Sequence, residues 1–400
     1  MTDLTPSIPA ERARNIPSFI VMDVLEKAHE LEAKGRRIIH MEIGEPDFPT
    51  PPCICEAAEK AIRAGHTHYT HSLGLIELRE AICRHYLEKY GAVVHPDQVI
   101  VTSGTSPALF MIFSALLDPG DEIIISDPHY PCYPNFAHFL KARPIPVKVQ
   151  EDEGFQYRPE DIRKAISGRT KAVLINSPSN PAGTLLAPER MAAIAGLGPY
   201  VVSDEIYHGL VYGEKEHSIL EFTERAFILN GFSKAYAMTG WRLGYLIAPK
   251  DFVRPLQKIQ QNFFISAGSV SQWAGVTALT RAGEDVERMR AVYNERRKYL
   301  IGRLRELGFI IKVEPQGAFY VLVNAKHLAE SSYELAFEIL EKAGVGVSPG
   351  IDFGRNAEGY LRISYANSLD NIKEGLDRIE TYLKACCPVT ARQHSEARPK

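Results

Sequence analysis

The chain has 400 residues, 45% of them hydrophobic and 24% charged, and a formal net charge of −3. That balance excludes the strongly basic surface of a nucleic-acid or anionic-membrane binder, and no apolar run nears the roughly 18 residues needed to cross a bilayer. The length allows two or three domains. The first residues, MTDLTPSIPAERARNIP, lack a basic end followed by an apolar stretch, so the expected location is the cytoplasm. Six cysteines, Cys53, Cys55, Cys83, Cys132, Cys386 and Cys387, form no C-x-x-C pair and read as free thiols of a reducing compartment.

Taken in chain order, helix-like apolar spacing appears over Glu56–Ala64, Leu75–Tyr90 and Pro107–Leu117. Short apolar runs end in polar or glycine-rich turns: Val99–Thr102 in SGT, Ile123–Ser126 in DPHYP, Val173–Asn176 in SPSNPAG, Val201–Ser203 in DEIY and Ile228–Asn230 in GFSK. Buried strands read this way, and the helical stretches between several of them predict an α/β fold with a mainly parallel sheet. In such sheets chemistry gathers at the carboxyl ends of strands, where the unusual residues of this chain stand. A long charged amphipathic helix follows over Asp285–Leu307. After it come a strand (Phe319–Val323), a helix (Ser332–Ala343), a strand (Tyr360–Tyr365) and a helix (Leu369–Lys384), an order that predicts a smaller α+β unit.

The segment FSKAYAMTGWRLGY, Phe232–Tyr245, carries the chemistry. Lys234 follows a serine at a predicted strand end, and Arg242 lies eight residues on. A phosphorylated cofactor tethered through an aldehyde needs an amine at one end and a fixed cation at its phosphate. Arg242 offers that cation with fork geometry, and Ser233 a hydroxyl donor. Further motifs stand before and after it. IGEPDF begins at Ile43, THYTHSLGLIELRE at Thr67, SGTSPAL at Ser103, DPHYPCY at Asp127, NSPSNPAG at Asn176, SDEIYHG at Ser203 and LRISYA at Leu361. SGTSPAL opens a predicted helix, and the free N–H groups of a helix start bind anions.

These motifs, in this order and with the S-K-x7-R spacing, resemble the aspartate aminotransferase family of fold type I pyridoxal-phosphate (PLP) enzymes (class I/II aminotransferases). The resemblance implies a large domain with a mainly parallel seven-stranded sheet plus a smaller α+β domain. It divides the chain into an N-terminal segment (1–48) joining the small domain, a large PLP-binding domain (49–297), a small C-terminal domain (298–387) and a disordered tail (388–400). Lys234 would carry PLP as a Schiff base, with Asp204 beneath the pyridine nitrogen and Tyr207 and Asn180 on the phenolic oxygen. Tyr130 would stack on the ring. Ser103, Gly104, Thr105, Ser233 and Arg242 would hold the phosphate, joined by Tyr69 from the neighbouring subunit. Gly44, Asn180 and Arg362 would meet the substrate, the arginine gripping its α-carboxylate. The resemblance also implies cis peptides at Asp127–Pro128 and Asn180–Pro181. No metal is called for: His66, His68 and His71 have no carboxylate or cysteine among them.

The implied activity moves an amino group from an L-amino acid to a 2-oxo acid by a ping-pong mechanism, in a homodimer whose active site is shared between subunits, with no nucleic acid or membrane as partner. Relatives that prefer aspartate place an extra lysine just after the glycine turn of the phosphate segment. Here that position is Ser106, and Phe19 and Ile20 follow Ser18 in the matching N-terminal stretch. A neutral or apolar amino acid is therefore the expected substrate, unless Arg12 or Arg14 supplies the missing cation. A PLP-dependent β-lyase would use the same lysine and arginine. A PLP-binding sensor domain of a transcription regulator is disfavoured by the negative charge and by the early position of IGEPDF.

Overall fold

A computed structural model describes residues 9–386 of the chain. Its strands are β1 (Ile39–His40), β2 (Val99–Thr102), β3 (Glu122–Asp127), β4 (Arg143–Lys148), β5 (Thr170–Asn176), β6 (Tyr200–Asp204), β7 (Ala226–Gly231), β8 (Gly244–Ile247), β9 (Tyr320–Asn324), β10 (Val345–Gly346), β11 (Ser348–Pro349) and β12 (Tyr360–Ser364). Seven of them form one sheet in the order β2-β8-β7-β6-β5-β3-β4. Strands β3 to β7 run parallel, and only β8 runs antiparallel to its neighbours.

The sheet is buried on both faces because its strands are apolar at successive positions. Val173 and Ile175 join one core cluster with Val101, Val201 and Ile228, while Ala172 and Leu174 join another with Ile100, Ile125 and Val202. A continuous apolar run, rather than an alternating one, is what a two-sided parallel sheet demands. Strands β4 and β8 of this sheet are not among those expected from the sequence. RPIPVK has prolines at two of six positions, and proline cannot donate to a ladder. Strand β4 survives because it is the sheet edge, paired only with β3.

The expected helices are present with shifted ends. The first begins at Pro52 rather than Glu56, with proline in its first turn, where a missing N–H costs nothing. The helix expected over Ser332–Ala343 is α-helical only to Glu338 and widens over Ile339–Ala343. Helices Ile20–Ala33, Lys250–Phe263 and Ser269–Arg281 were not expected; the second has Pro255 in its interior, which hides it from a pattern search.

A second layer is built from β11-β12-β9, antiparallel throughout, and the parallel pair β1-β10. These elements share a core with the helix Gly283–Glu306 and the C-terminal helix Leu369–Cys386, through Leu300, Leu304, Val321, Ile363, Leu376 and Ile379. The tail expected at 388–400 lies outside the described residues. Among the described residues no helix is long and apolar enough to cross a membrane.

Candidate functional site

The ends of β5 and β6 and the turn after β7 open onto one cavity of about 440 Å³, which Arg362 of β12 enters from the other side. Asn176 and Asp204 are the last residues of their strands, and Lys234 follows three residues after β7. The main sheet thus places three polar side chains on one rim because parallel strands end together there.

Lys234 is turned inward, its Nζ donating to the carbonyl of Gly44 at 2.6 Å. Burial lowers its pKa from 10.5 to about 8; Glu45 opposes that shift, and Arg362 and Arg242 add to it. A neutral amine is the nucleophile toward an aldehyde. The rate at which Lys234 condenses with an added aldehyde should therefore climb with pH and level off above about 8. Borohydride trapping with peptide mapping measures it, and a rate still climbing at pH 10 would show an ordinary lysine.

Asp204 is 8% exposed. Its Oδ2 accepts from Tyr133 Oη at 2.7 Å and its Oδ1 from the Ile206 N–H at 3.2 Å. Burial raises its pKa to about 6 against the pull of those two donors. A buried carboxylate held this way is suited to facing a cation. Tyr207 meets Tyr320 hydroxyl to hydroxyl at 3.0 Å, and burial holds the Tyr207 phenol protonated.

Arg362 is 2% exposed, and all its hydrogen-bond partners are neutral: Asn180 Oδ1 at 3.0 Å, Ser348 Oγ at 3.0 Å and the Glu42 carbonyl. Its Nε has no partner, and its guanidinium lies 4.4 Å from the Tyr320 ring centroid. A buried cation held by neutral groups alone is costly, and a carboxylate, which a guanidinium can take in bidentate fashion, is the kind of group that would offset that cost.

Arg242 stands at the start of the helix Thr105–Leu116, in the left-handed region at φ 50°, with Nη1 donating to Thr239 O at 3.1 Å. Gly104, at φ +94°, is what lets it approach: a Cβ there would lie 2.4 Å from Arg242 Nη2. Helix N–H groups, Thr105 and a guanidinium with no acidic partner in its hydrogen bonding form a cradle for a dianion. Ser233 and Thr105 line the cavity. Ser103 does not. Gly44 is needed for space, since a Cβ would meet the Tyr320 hydroxyl at 1.8 Å.

Tyr130 lines the cavity, edge-on to Phe19 at 6.0 Å and Tyr133 at 5.4 Å. Ser106 and Phe19 line it too, but Ile20 does not: its N–H is tied to Asp352 Oδ1 at 3.0 Å. Tyr69 is 82% exposed and shares a shallow depression with Ser266–Ser269, away from Lys234. Arg12 rests on the Phe139 ring at 5.3 Å. Asp127–Pro128 and Asn180–Pro181 are both cis, as is Ser177–Pro178. His66 stacks on Trp273, and His71 Nδ1 accepts from the Leu73 N–H. Tyr133, Tyr320, Ser348 and the carbonyl of Glu42 are not among the site groups expected from the sequence. Tyr133 stands in DPHYPCY, where only Tyr130 had been singled out, and nothing local marks the others.

Residues 36–379 match the family model for aminotransferase class I and II. The chain is 43% identical over 378 residues to a (5-formylfuran-3-yl)methyl phosphate transaminase of Methanocaldococcus jannaschii, covering 94% of this chain and 99% of that one. It is 40% identical to an aspartate/prephenate aminotransferase of Thermus thermophilus, over 94% and 98% of the two chains. Among solved structures it resembles a Methanococcus jannaschii protein described as similar in its active site to kynurenine aminotransferases. That likeness has a TM-score of 0.88 and 43% identity, and covers 94% of this chain and all of the other.

Proposed function

The chain belongs to the aminotransferase class I and II family and is an aminotransferase, and from that premise we propose that it works with PLP bound at Lys234 and favours a neutral or apolar amino acid. The observation that carries this reading is the meeting of Lys234, Asp204, Arg242 and Arg362 in one cavity. When bound, PLP supplies an electron sink for the carbanion formed at the substrate α-carbon. Arg242, Thr105, Gly104 and Ser233 would hold its phosphate, with Ser103 behind them. Asp204 would hold a proton on the pyridine nitrogen, Tyr207 and Asn180 would bond the phenolic oxygen, and Tyr130 would cover the ring.

Arg362 and Asn180 would bind the substrate carboxylate and so aim the α-carbon toward Lys234, with Gly44 leaving the room to approach. The Nζ of Lys234, when freed, would take the α-proton and return it, and its lowered pKa keeps a usable neutral fraction near pH 7. A ping-pong exchange between amino acid and 2-oxo acid follows. The second half of each site would come from a partner copy. Support lies in Tyr69, which is 82% exposed although it is a large hydrophobic side chain. The domain division is supported by β1, which pairs with β10 and so joins residues 1–48 to the unit 298–387 beside the large unit 49–297. The four described thiols, none in a disulfide, suit the cytoplasm.

Substrate preference rests on the side-chain pocket. Its cations are Lys234, Arg242 and Arg362, each already given a task, while Phe19, Val21, Met22, Leu25, Leu109 and Phe136 supply an apolar wall. A substrate side-chain carboxylate would be desolvated without a partner, at several kcal/mol. With 2-oxoglutarate or pyruvate as acceptor, alanine, leucine or phenylalanine should exceed aspartate by at least about tenfold in kcat/KM. If aspartate wins, the pocket reading fails and Arg12 becomes the residue to replace. Pyruvate and ammonia released from cysteine-type substrates without an acceptor would mark a β-lyase instead.

A further inference from the structure

Glu42 is fully buried, an expensive place for a carboxylate. Its Oε1 receives the His40 Nδ1–H at 2.6 Å, and its Oε2 lies where Gly346 lacks a side chain, so that a Cβ there would approach to 2.0 Å. The other ring nitrogen of His40 reaches Glu32 Oε1 at 3.1 Å, on the helix Ile20–Ala33. The hydrogen bond to Glu42 raises the His40 pKa to about 9 against the effect of burial. Below that raised pKa both of its ring nitrogens carry protons and can donate, one to each carboxylate.

The main chain of the same residue serves the substrate site. The Glu42 carbonyl accepts from Arg362 Nη2 and from Ser348 Oγ (3.1 Å), and Ser348 Oγ accepts in turn from Arg362 Nη2 at 3.0 Å. The residue before it is pinned on both sides, Met41 N–H to Gly346 O at 3.0 Å and Ser364 N–H to Met41 O at 2.7 Å. Glu42 thus joins two functions: its side chain is locked by a cation, and its carbonyl aims the guanidinium.

We propose that His40 is a positioning residue: by clamping Glu42 to the helix Ile20–Ala33 it fixes the carbonyl that orients Arg362, and so sets the affinity for the substrate α-carboxylate. The proposal rests on Arg362 being the carboxylate-binding arginine. Removing a group that orients a metal ligand costs about tenfold to a hundredfold in metal affinity; a group that orients a binding arginine acts by the same physics, since small misplacements are amplified at a binding centre.

The test compares phenylalanine with phenylethylamine, identical but for the carboxylate, in single turnovers of the PLP-loaded enzyme. His40→Leu should raise the half-saturating concentration of phenylalanine about tenfold while leaving its maximum rate within about threefold. That of phenylethylamine should stay within about twofold. His40→Asn, which keeps a donor near the Nδ1 position, should restore most of the phenylalanine affinity. Should His40→Leu not fold because Glu42 is left unpaired, the double variant His40→Leu/Glu42→Gln removes the charge and should show the same selective loss. Equal effects on both ligands, or a fall in maximum rate at unchanged half-saturation, overturn the proposal. Arg362→Lys separates the two levels: if it leaves phenylalanine unaffected, the Arg362 assignment is wrong and the clamp with it. If it weakens phenylalanine while His40→Leu does not, only the clamp is wrong.

Discussion

Lys234→Ala should lower kcat by about 10⁴-fold or more, because on the proposed function one side chain would serve as both the tether and the base, and a positioned base alone contributes up to about that much. Nothing replaces it: the other cations lining the cavity are guanidinium groups, which stay protonated and cannot act as a base. The loss is chemical rather than structural. Lys234 sits where burial disfavours its charged form, so folding is opposed by that charge below about pH 8 and relieved as pH rises toward 10.5. Removing the amine therefore leaves the cofactor-free chain at least as thermostable near pH 7. Turnover within tenfold of wild type, or a borohydride-fixed label on another lysine in the unaltered chain, would show that the tether lies elsewhere.

Asp204→Asn is the second large effect, about 10²–10³-fold in kcat/KM, the scale on which one preorganised electrostatic group acts. Asparagine keeps the shape and an acceptor for Tyr133, so the variant removes charge and little else. The folded pKa of Asp204, raised by burial to about 6 in the cofactor-free chain, means that its ionised form opposes folding as pH rises from 3.8 through 6. The variant should accordingly lose activity without losing thermal stability at pH 7. A cation over the carboxylate favours ionisation, so the acid limb of the wild-type pH profile should fall at or below pH 6. An Asp204→Asn enzyme within a few-fold of wild type would remove this carboxylate from the chemistry.

The mainly parallel sheet was legible because each central strand carries its own signal. Val173–Asn176 and Ile228–Asn230 are apolar at successive positions and end in turns, a pattern that depends on few residues. The Lys234–Arg242 interval was legible for the same reason, since both belong to the one connection between β7 and β8. Gly104 beside Arg242 and Gly44 beside Tyr320 also stand in recognisable motifs, although the collisions that require glycine there are visible only in three dimensions.

What the amino-acid sequence determined by itself was therefore local: strand and helix periodicity, turn chemistry, and the residue types presented at strand ends. Tertiary structure alone decided which distant groups complete them. Tyr320 is 113 positions from the hydroxyl it meets, Asn180 is 182 from Arg362, and the Glu42 carbonyl is 320 from the same guanidinium. No periodicity encodes such pairs, because their geometry arises only when β9, β11 and β12 pack over the segment Ile39–Glu42 and close on the rim of the main sheet. The same packing ties Ile20 to Asp352. Burial then sets the charges, since a pKa near 8 for Lys234 or near 6 for Asp204 is a property of the water excluded around them and not of the residues themselves.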